Sequence, residues 1–131
     1  MKTIYYDDVE LMWHSMYYDG PLTGVLRYEG REHWFHCVES EWHAKECQEG
    51  WRKFVLVPIR SEDKPELYRR HALFENNVGT HTTYNDQGRR EVGRTKSQEE
   101  WPKYYDEAKT WEKLWHEVDS ESKAIAYFVW D

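Results

Sequence analysis

The chain has 131 residues and a mass of 16.1 kDa, with 25 acidic and 18 basic side chains and a formal net charge of −7. A length in the commonest range for one domain, about 100–150 residues, leaves no room for a second full domain, so residues 1–131 are expected to form a single one. The acid excess argues against duplex-DNA binding by phosphate neutralisation, and no apolar run reaches the roughly 18 residues of a membrane-spanning helix.

Residues Leu11 to Tyr17 carry large side chains and end at Asp19-Gly20-Pro21, a turn cluster, which predicts a short strand. Leu22 to Tyr28 and His33 to Glu39 flank Glu29-Gly30-Arg31-Glu32, the spacing of a hairpin with glycine in its tight turn. Arg52 to Arg60 is a β-branched run, and Pro58, which cannot donate to a ladder, belongs at a strand end or on an edge. Asp63 and Glu66 have the spacing of an N-terminal capping pair, Pro65 suits a first turn, and the helix they open stops at Asn77, before Gly79.

Thr80 to Thr95 holds two turn signals, Asn85-Asp86-Gln87-Gly88 and Val92-Gly93, and is expected to form a loose hairpin or an exposed loop. Ser97 and Glu100 stand in capping-box spacing before a stripe of Trp101, Tyr104, Ala108, Trp111, Trp115 and Val118. Steps of three and four place that stripe on one helical face, which predicts the longest helix of the chain. Ala124 to Trp130 is almost uninterruptedly apolar and predicts a central strand covered on both faces.

Leu, Ile, Val and Phe number 23 of 131 residues, a share that warns of disorder, yet eight Trp and ten Tyr supply rings that each bury about 150–250 Å². The core is therefore expected to be aromatic. Charge is uneven: residues 1–60 carry −3, residues 61–96 carry +1 and residues 97–131 carry −5. The N-terminal segment lacks the apolar stretch of a signal peptide, so a soluble cytoplasmic protein with reduced Cys37 and Cys47 is expected.

Three constellations bear on chemistry. His33, His36, Cys37, His43 and Cys47 are five potential metal ligands within fifteen residues. Their spacing is irregular, and neighbours in a strand point to opposite faces, so half-buried side chains of a hairpin are preferred to a metal site and no metal or other cofactor is expected. The segment 79–97 offers Thr80, His81, Thr82, Tyr84, Arg89, Arg90, Arg94 and Lys96 ahead of an expected helix N-terminus. Guanidinium forks, hydroxyls and a stacking ring suit an anionic, nucleotide-like ligand, although a charged sheet edge that resists aggregation has the same composition. Among the tryptophans, Trp42 and Trp51 bracket a polar connection outside any periodic stretch and are candidate exposed anchors for a partner. No nucleophile and base stand in a mechanistic motif, and the paired carboxylates fit solvated faces, so an enzyme is the less favoured class.

The run Tyr18-Asp19-Gly20-Pro21-Leu22-Thr23-Gly24-Val25 and the later Val78-Gly79-Thr80-His81-Thr82 resemble uncharacterised small proteins of bacteria and their phages. The resemblance covers about a tenth of the chain by simple proportion. It implies no activity and suggests a mobile-element or defence setting.

The sequence therefore predicts an α+β domain: a curved antiparallel sheet of about five to seven strands, with a barrel-like form preferred, packed by a long Trp-rich C-terminal helix and a shorter helix. The expected function is non-enzymatic recognition of a macromolecular, most readily protein, partner with basic surface, as an inhibitor or accessory protein. Homodimerisation through exposed aromatics is an added expectation. The alternative is binding of an anionic nucleotide-like ligand through residues 79–97, with His81 as the one candidate acid–base for a hydrolytic step.

Overall fold

The computed structural model describes residues 1–17, 21–40, 52–79, 83–84, 90–91 and 96–130, with side chains at 1–14, 23–38, 52–79 and 96–130. They gather into two compact units, one of residues 1–60 with 115–131 and one of residues 61–114.

The first unit is built on a six-stranded sheet. Its strands are β1 (Lys2–Tyr5), β2 (Glu10–Tyr17), β3 (Pro21–Tyr28), β4 (Arg31–Ser40), β5 (Arg52–Pro58) and the last strand of the chain (Ala126–Trp130), which is β8. Their order across the sheet is β1-β8-β5-β4-β3-β2. The expected hairpin is present, with a loop shortened to Glu29 and Gly30, whose φ angles are 51° and 75°. Two positive φ values match the type I′ turn, whose twist suits the flanking strands, and glycine takes the second without strain. Pro58 closes β5 in register with His33, so its missing N–H falls at a strand end, as the sequence requires.

Two features of the sheet differ from expectation. The sheet is mixed, because β1 runs parallel to β8, with Lys2 opposite Ala126 and Tyr5 opposite Val129. It is also open: among the described residues β1 and β2 share no ladder, so no barrel closes. Yet the two edges are joined by only four residues, Tyr6 to Val9, three of them in a 3-10 turn. A flat sheet of six strands would hold its edges about 24 Å apart, at about 4.8 Å per strand, while five chain steps reach no more than about 18 Å. The sheet therefore bends.

The concave face carries the core. Period-two alternation places Leu26 and Tyr28, Phe35, Phe54 and Leu56, Ala126 and Phe128 on it, and Ile4 completes the cluster. Phe35 meets Phe54 edge-on at 5.1 Å, and Phe54 stacks on Phe128 at 5.5 Å, but the core is not aromatic in place of aliphatic as the composition predicts: among the described residues ten of its buried hydrophobic side chains are aliphatic, and Trp34 and Tyr28 are the buried Trp and Tyr. Gly24 makes that packing feasible, since a Cβ there would lie 2.2 Å from the Trp13 carbonyl oxygen and 2.5 Å from the Phe35 ring. The convex face buries Val25, Trp34, Val55 and Val57. His116, from a 3-10 turn at Trp115–Glu117, packs on the Trp34 ring at 5.3 Å, and the short helix α3 (Ser120–Lys123) contacts β5. β8 is internal, but Tyr127 and Val129 on its convex side stay partly exposed, so it is not fully covered on both faces.

The second unit contains the longest α-helix, α1 (Lys64–Asn77), after a 3-10 turn at Ser61–Asp63. Asp63 is itself helical in conformation and makes no cap bond, so the expected capping pair does not form; Glu66 instead accepts hydrogen bonds from Arg69 and Arg70. The helix stops as expected, with the Val78 and Gly79 N–H groups both donating to the Phe74 carbonyl and Gly79 at φ 123°. A small ladder follows, β6 (Thr83–Tyr84) against β7 (Arg90–Glu91).

The long Trp-rich C-terminal helix is not formed. In its place α2 spans only Pro102–Ala108, with Trp101 as its N-cap residue and no capping bond from a side chain. Ser97 and Glu100 stand in a turn before it, joined by a Glu100 N–H to Ser97 carbonyl bond. The reason for the stop is local: the Thr110 N–H and hydroxyl both bond to the Glu107 carbonyl, at 2.9 and 2.7 Å, which tightens the turn and competes with the helical ladder. The aromatic stripe is accordingly divided. Tyr104 joins Phe74 and Trp111 in the helical unit, whereas Trp115 and Val118 belong to the sheet unit and are exposed.

Candidate functional site

The end of the sheet unit from which residues 18–20 and 41–51 connect its strands concentrates polar and aromatic side chains on the concave face. Arg52 opens β5 in register with Trp130 and shares the inward parity of Phe54 and Leu56. It is only 7% exposed. His14, on β2, pairs with Gly24, is 6% exposed, and its ring lies 5.4 Å from that of Trp130. Tyr6 stacks on the same indole at 5.2 Å with a 25° tilt, and burial raises its phenol pKa, with the nearby Asp7 carboxylate pushing the same way. Cys37, partly buried, packs against the core from β4. An imidazole and a phenol ring thus meet one indole, and Arg52 stands opposite Trp130 in the register of β5 with β8.

His33 occupies the same face nearer the opposite end. It is 3% exposed, its Nδ1 lies 2.8 Å from the Arg31 carbonyl oxygen, and its ring meets Tyr28 edge-on at 5.9 Å. Burial lowers its pKa, against the raising effect of the Arg31 carbonyl.

The His/Cys cluster is split as its strand spacing implies. His33 and Cys37 share the concave face, while His36 stacks flat on Trp34 on the convex face, 5.2 Å apart and 4° from parallel. His43 and Cys47 lie outside the described residues. Among the described residues no three His, Cys, Asp or Glu side chains converge as metal ligands.

Of the residues proposed to hold an anion, Thr80, His81, Thr82, Arg89 and Arg94 lie outside the described residues, as do the anchors Trp42 and Trp51. The backbone does bring Tyr84 and Arg90 directly opposite each other. The Lys96 N–H donates to the Val78 carbonyl at 2.8 Å, and the Trp101 indole N–H donates to the Lys96 carbonyl at 3.0 Å, so the segment is tied at its base. It does not run straight into a helix, because α2 begins at Pro102 and has only seven residues. The helix-terminus contribution to anion binding is thereby lost.

Arg52 and His14 were absent from the sequence-derived site. A signal was present: in Arg52-Lys53-Phe54-Val55-Leu56 the inward parity set by Phe54 and Leu56 extends to Arg52, an unusual position for a cation. No family model matches the chain, and neither the curated proteins nor the solved structures contain a match to it. Among the described residues no helix is long and apolar enough to cross a membrane.

Proposed function

We propose that the chain is a non-enzymatic binding protein, an acidic, aromatic-rich inhibitor or accessory protein that recognises a protein partner of basic surface. One observation carries this reading. The acid excess falls almost wholly on the sheet unit, which holds 14 acidic and eight basic side chains against 11 and ten in the helical unit. A field of one sign on one unit steers an oppositely charged partner and rejects others. The sheet unit also exposes Tyr5, Trp115, Val118 and Ile125, apolar groups of the kind that anchor interfaces. Trp42 and Trp51 belong to the same unit by sequence and are its proposed anchors.

The test is capture from cell lysate with two charge-reversed forms of the chain. Glu10→Lys with Asp119→Lys and Glu121→Lys changes the sheet unit; Glu99→Lys with Glu100→Lys and Asp106→Lys changes the helical unit equally. Loss of a basic partner with the first set alone supports the reading. Equal loss with both sets, or a captured partner without basic surface, refutes it.

A second reading, an anionic nucleotide-like ligand held by residues 79–97, is favoured by the register that sets Tyr84 against Arg90. It predicts a rise in melting temperature with a nucleotide that Arg90→Ala with Arg94→Ala abolishes. No shift across a nucleotide panel removes it.

A further inference from the structure

The two edges of the six-stranded sheet are unlike. β2, at one edge, shifts register against β3 between Leu11 and Trp13, between His14 and Met16, and between Met16 and Tyr17. Irregularity of this kind is how sheet edges resist pairing with a further strand. β1, at the other edge, keeps an unbroken parallel register with β8 from Lys2 to Tyr5, and among the described residues no strand lies on its outer side. Lys2, Thr3 and Tyr5 are exposed, and Ile4 alone in the strand is buried. The Tyr5 N–H donates to the Asp8 carboxylate at 2.9 Å, so it points away from β8. In a parallel ladder each residue sends its N–H and C=O to one side and its neighbours send theirs to the other, which turns the Thr3 N–H and C=O outward as well.

We infer that β1 is the docking edge for the basic partner, which adds an extended segment of its own beside Thr3 and Tyr5. The inference rests on the proposed recognition of a basic protein and names where that partner binds. In this mode main-chain hydrogen bonds to the open edge supply affinity, and the side chains around the added strand supply selection. Charge selects the occupant. The segment from Lys2 to Glu10 holds three acids against one base, and the Asp8 and Glu29 carboxylates both act on that base. The sheet unit as a whole carries 14 acids against eight bases. A second copy of the chain would bring the same excess and is disfavoured, whereas an extended segment that carries lysine or arginine complements it. Tyr5, 53% exposed, offers an aromatic contact to a neighbouring residue of the added strand.

The test is titration of the full chain, monitored by NMR of its amides, with a capped heptapeptide of alternating lysine and valine and with a counterpart of alternating glutamate and valine. The lysine peptide should bind at least about tenfold more tightly. At saturation it should slow exchange of the Thr3 amide at least about tenfold. Thr3→Pro removes the outward N–H without taking a bond from the ladder between β1 and β8, and should weaken binding at least about tenfold. Glu99→Lys with Glu100→Lys and Asp106→Lys, in the helical unit, should leave binding within about twofold at about 0.15 M salt. Should Thr3→Pro fail to fold, Thr3 amide exchange in the unaltered chain gives the answer. Binding of the lysine peptide that leaves Thr3 exchange and the Thr3→Pro affinity unchanged overturns the edge as the docking site and leaves the basic-partner reading standing, and no binding of that peptide does the same. Equal affinity for the two peptides overturns the charge argument that both share. Thr3 protection that rises with protein concentration before any peptide is added would assign the edge to a second copy and overturn the proposal.

Discussion

The ammonium of Lys2 on β1 lies 5.6 Å from the ring centre of Tyr28 on β3, although the two strands are four places apart in the sheet. At about 4.8 Å per strand a flat sheet would hold them about 19 Å apart. The contact is a direct sign of how far the sheet rolls, and Tyr28, 8% exposed, is part of the core that the roll creates. Tyr28→Ala should therefore destabilise the protein by about 3 kcal/mol, the usual cost of deleting a buried ring. Lys2→Gln, at an exposed position, should leave the denaturant midpoint almost unchanged. Urea unfolding of the two variants checks the contrast.

Gly24 should tolerate no side chain. A Cβ at that position meets the Trp13 carbonyl oxygen at 2.2 Å, a backbone atom that cannot swing aside, as well as the Phe35 ring. Gly24→Ala should cost about 3 kcal/mol, at the upper end of overpacking effects. Gly30→Ala meets no atom within 4 Å and should cost about 1 kcal/mol, from its φ of 75° alone. Guanidinium unfolding gives both values, and equal effects would show that strand β2 yields beside Trp13, where its register with β3 shifts between Leu11 and Trp13.

Stability should fall on mild acidification because of His33. Its folded pKa is lowered by burial beneath the ordinary value of 6.5. As pH drops below that value the unfolded chain takes up a proton that the folded chain refuses until the lower pKa is reached, so stability declines across that window and is fully present above it. His71 has a lowered pKa too, from burial opposed by Glu75, and contributes in the same direction. His33→Gln and His71→Gln should each flatten the melting-temperature profile below pH 6.5. Profiles parallel to that of the unaltered chain would exclude these two histidines as the cause.

Glu66 sets a second, more acidic limb. Hydrogen bonds from Arg69 and then Arg70 lower its pKa from 4.5 to about 2. A depressed carboxylate stabilises above its unfolded pKa and loses that contribution as pH falls towards 2. The group is largely solvated, so Glu66→Gln should cost only about 0.5 kcal/mol at neutral pH, and less in 1 M salt. Thermal unfolding at two salt concentrations checks both statements.

Lys123 should matter more than its position suggests. Its Nζ donates to the Trp115 carbonyl at 2.6 Å and to the Val118 carbonyl, closing the end of a 3-10 turn, and it lies 4.6 Å from the Trp115 ring centre. Lys123→Met retains the stem and removes the donors, and should cost about 1 kcal/mol by chemical denaturation. A neutral result would mean that the turn at Trp115–Glu117 is held by its packing on Trp34 instead.

Local chemistry was legible in the sequence wherever the signal lay within a few residues. Glu29-Gly30 dictates a tight primed turn, Arg52 to Pro58 has the branched composition of a buried strand, and Gly79 marks the place where α1 must stop. Counting rings overstated the aromatic share of the core, because most Trp and Tyr keep a polar edge in water while Val, Leu and Ile are buried beside the phenylalanines. The C-terminal helix misled for an equally physical reason. Steps of three and four from Trp101 to Val118 describe one helical face only if the chain stays helical, and the Thr110 hydroxyl bonds back to Glu107 and ends it.

What the amino-acid sequence determined by itself is thus the identity of most strands, one full helix and the acidity of the chain. The tertiary structure alone decided which strands are neighbours. The pairing of β1 with β8 joins residues more than 120 positions apart, and no local period encodes it. That pairing, with the bend imposed by the short link from Tyr6 to Val9, brings His14, Arg52 and Trp130 together on one concave surface. Turns and periods are properties of neighbouring residues, whereas a site assembled from three strands depends on long-range register, which arises only when the sheet forms as a whole.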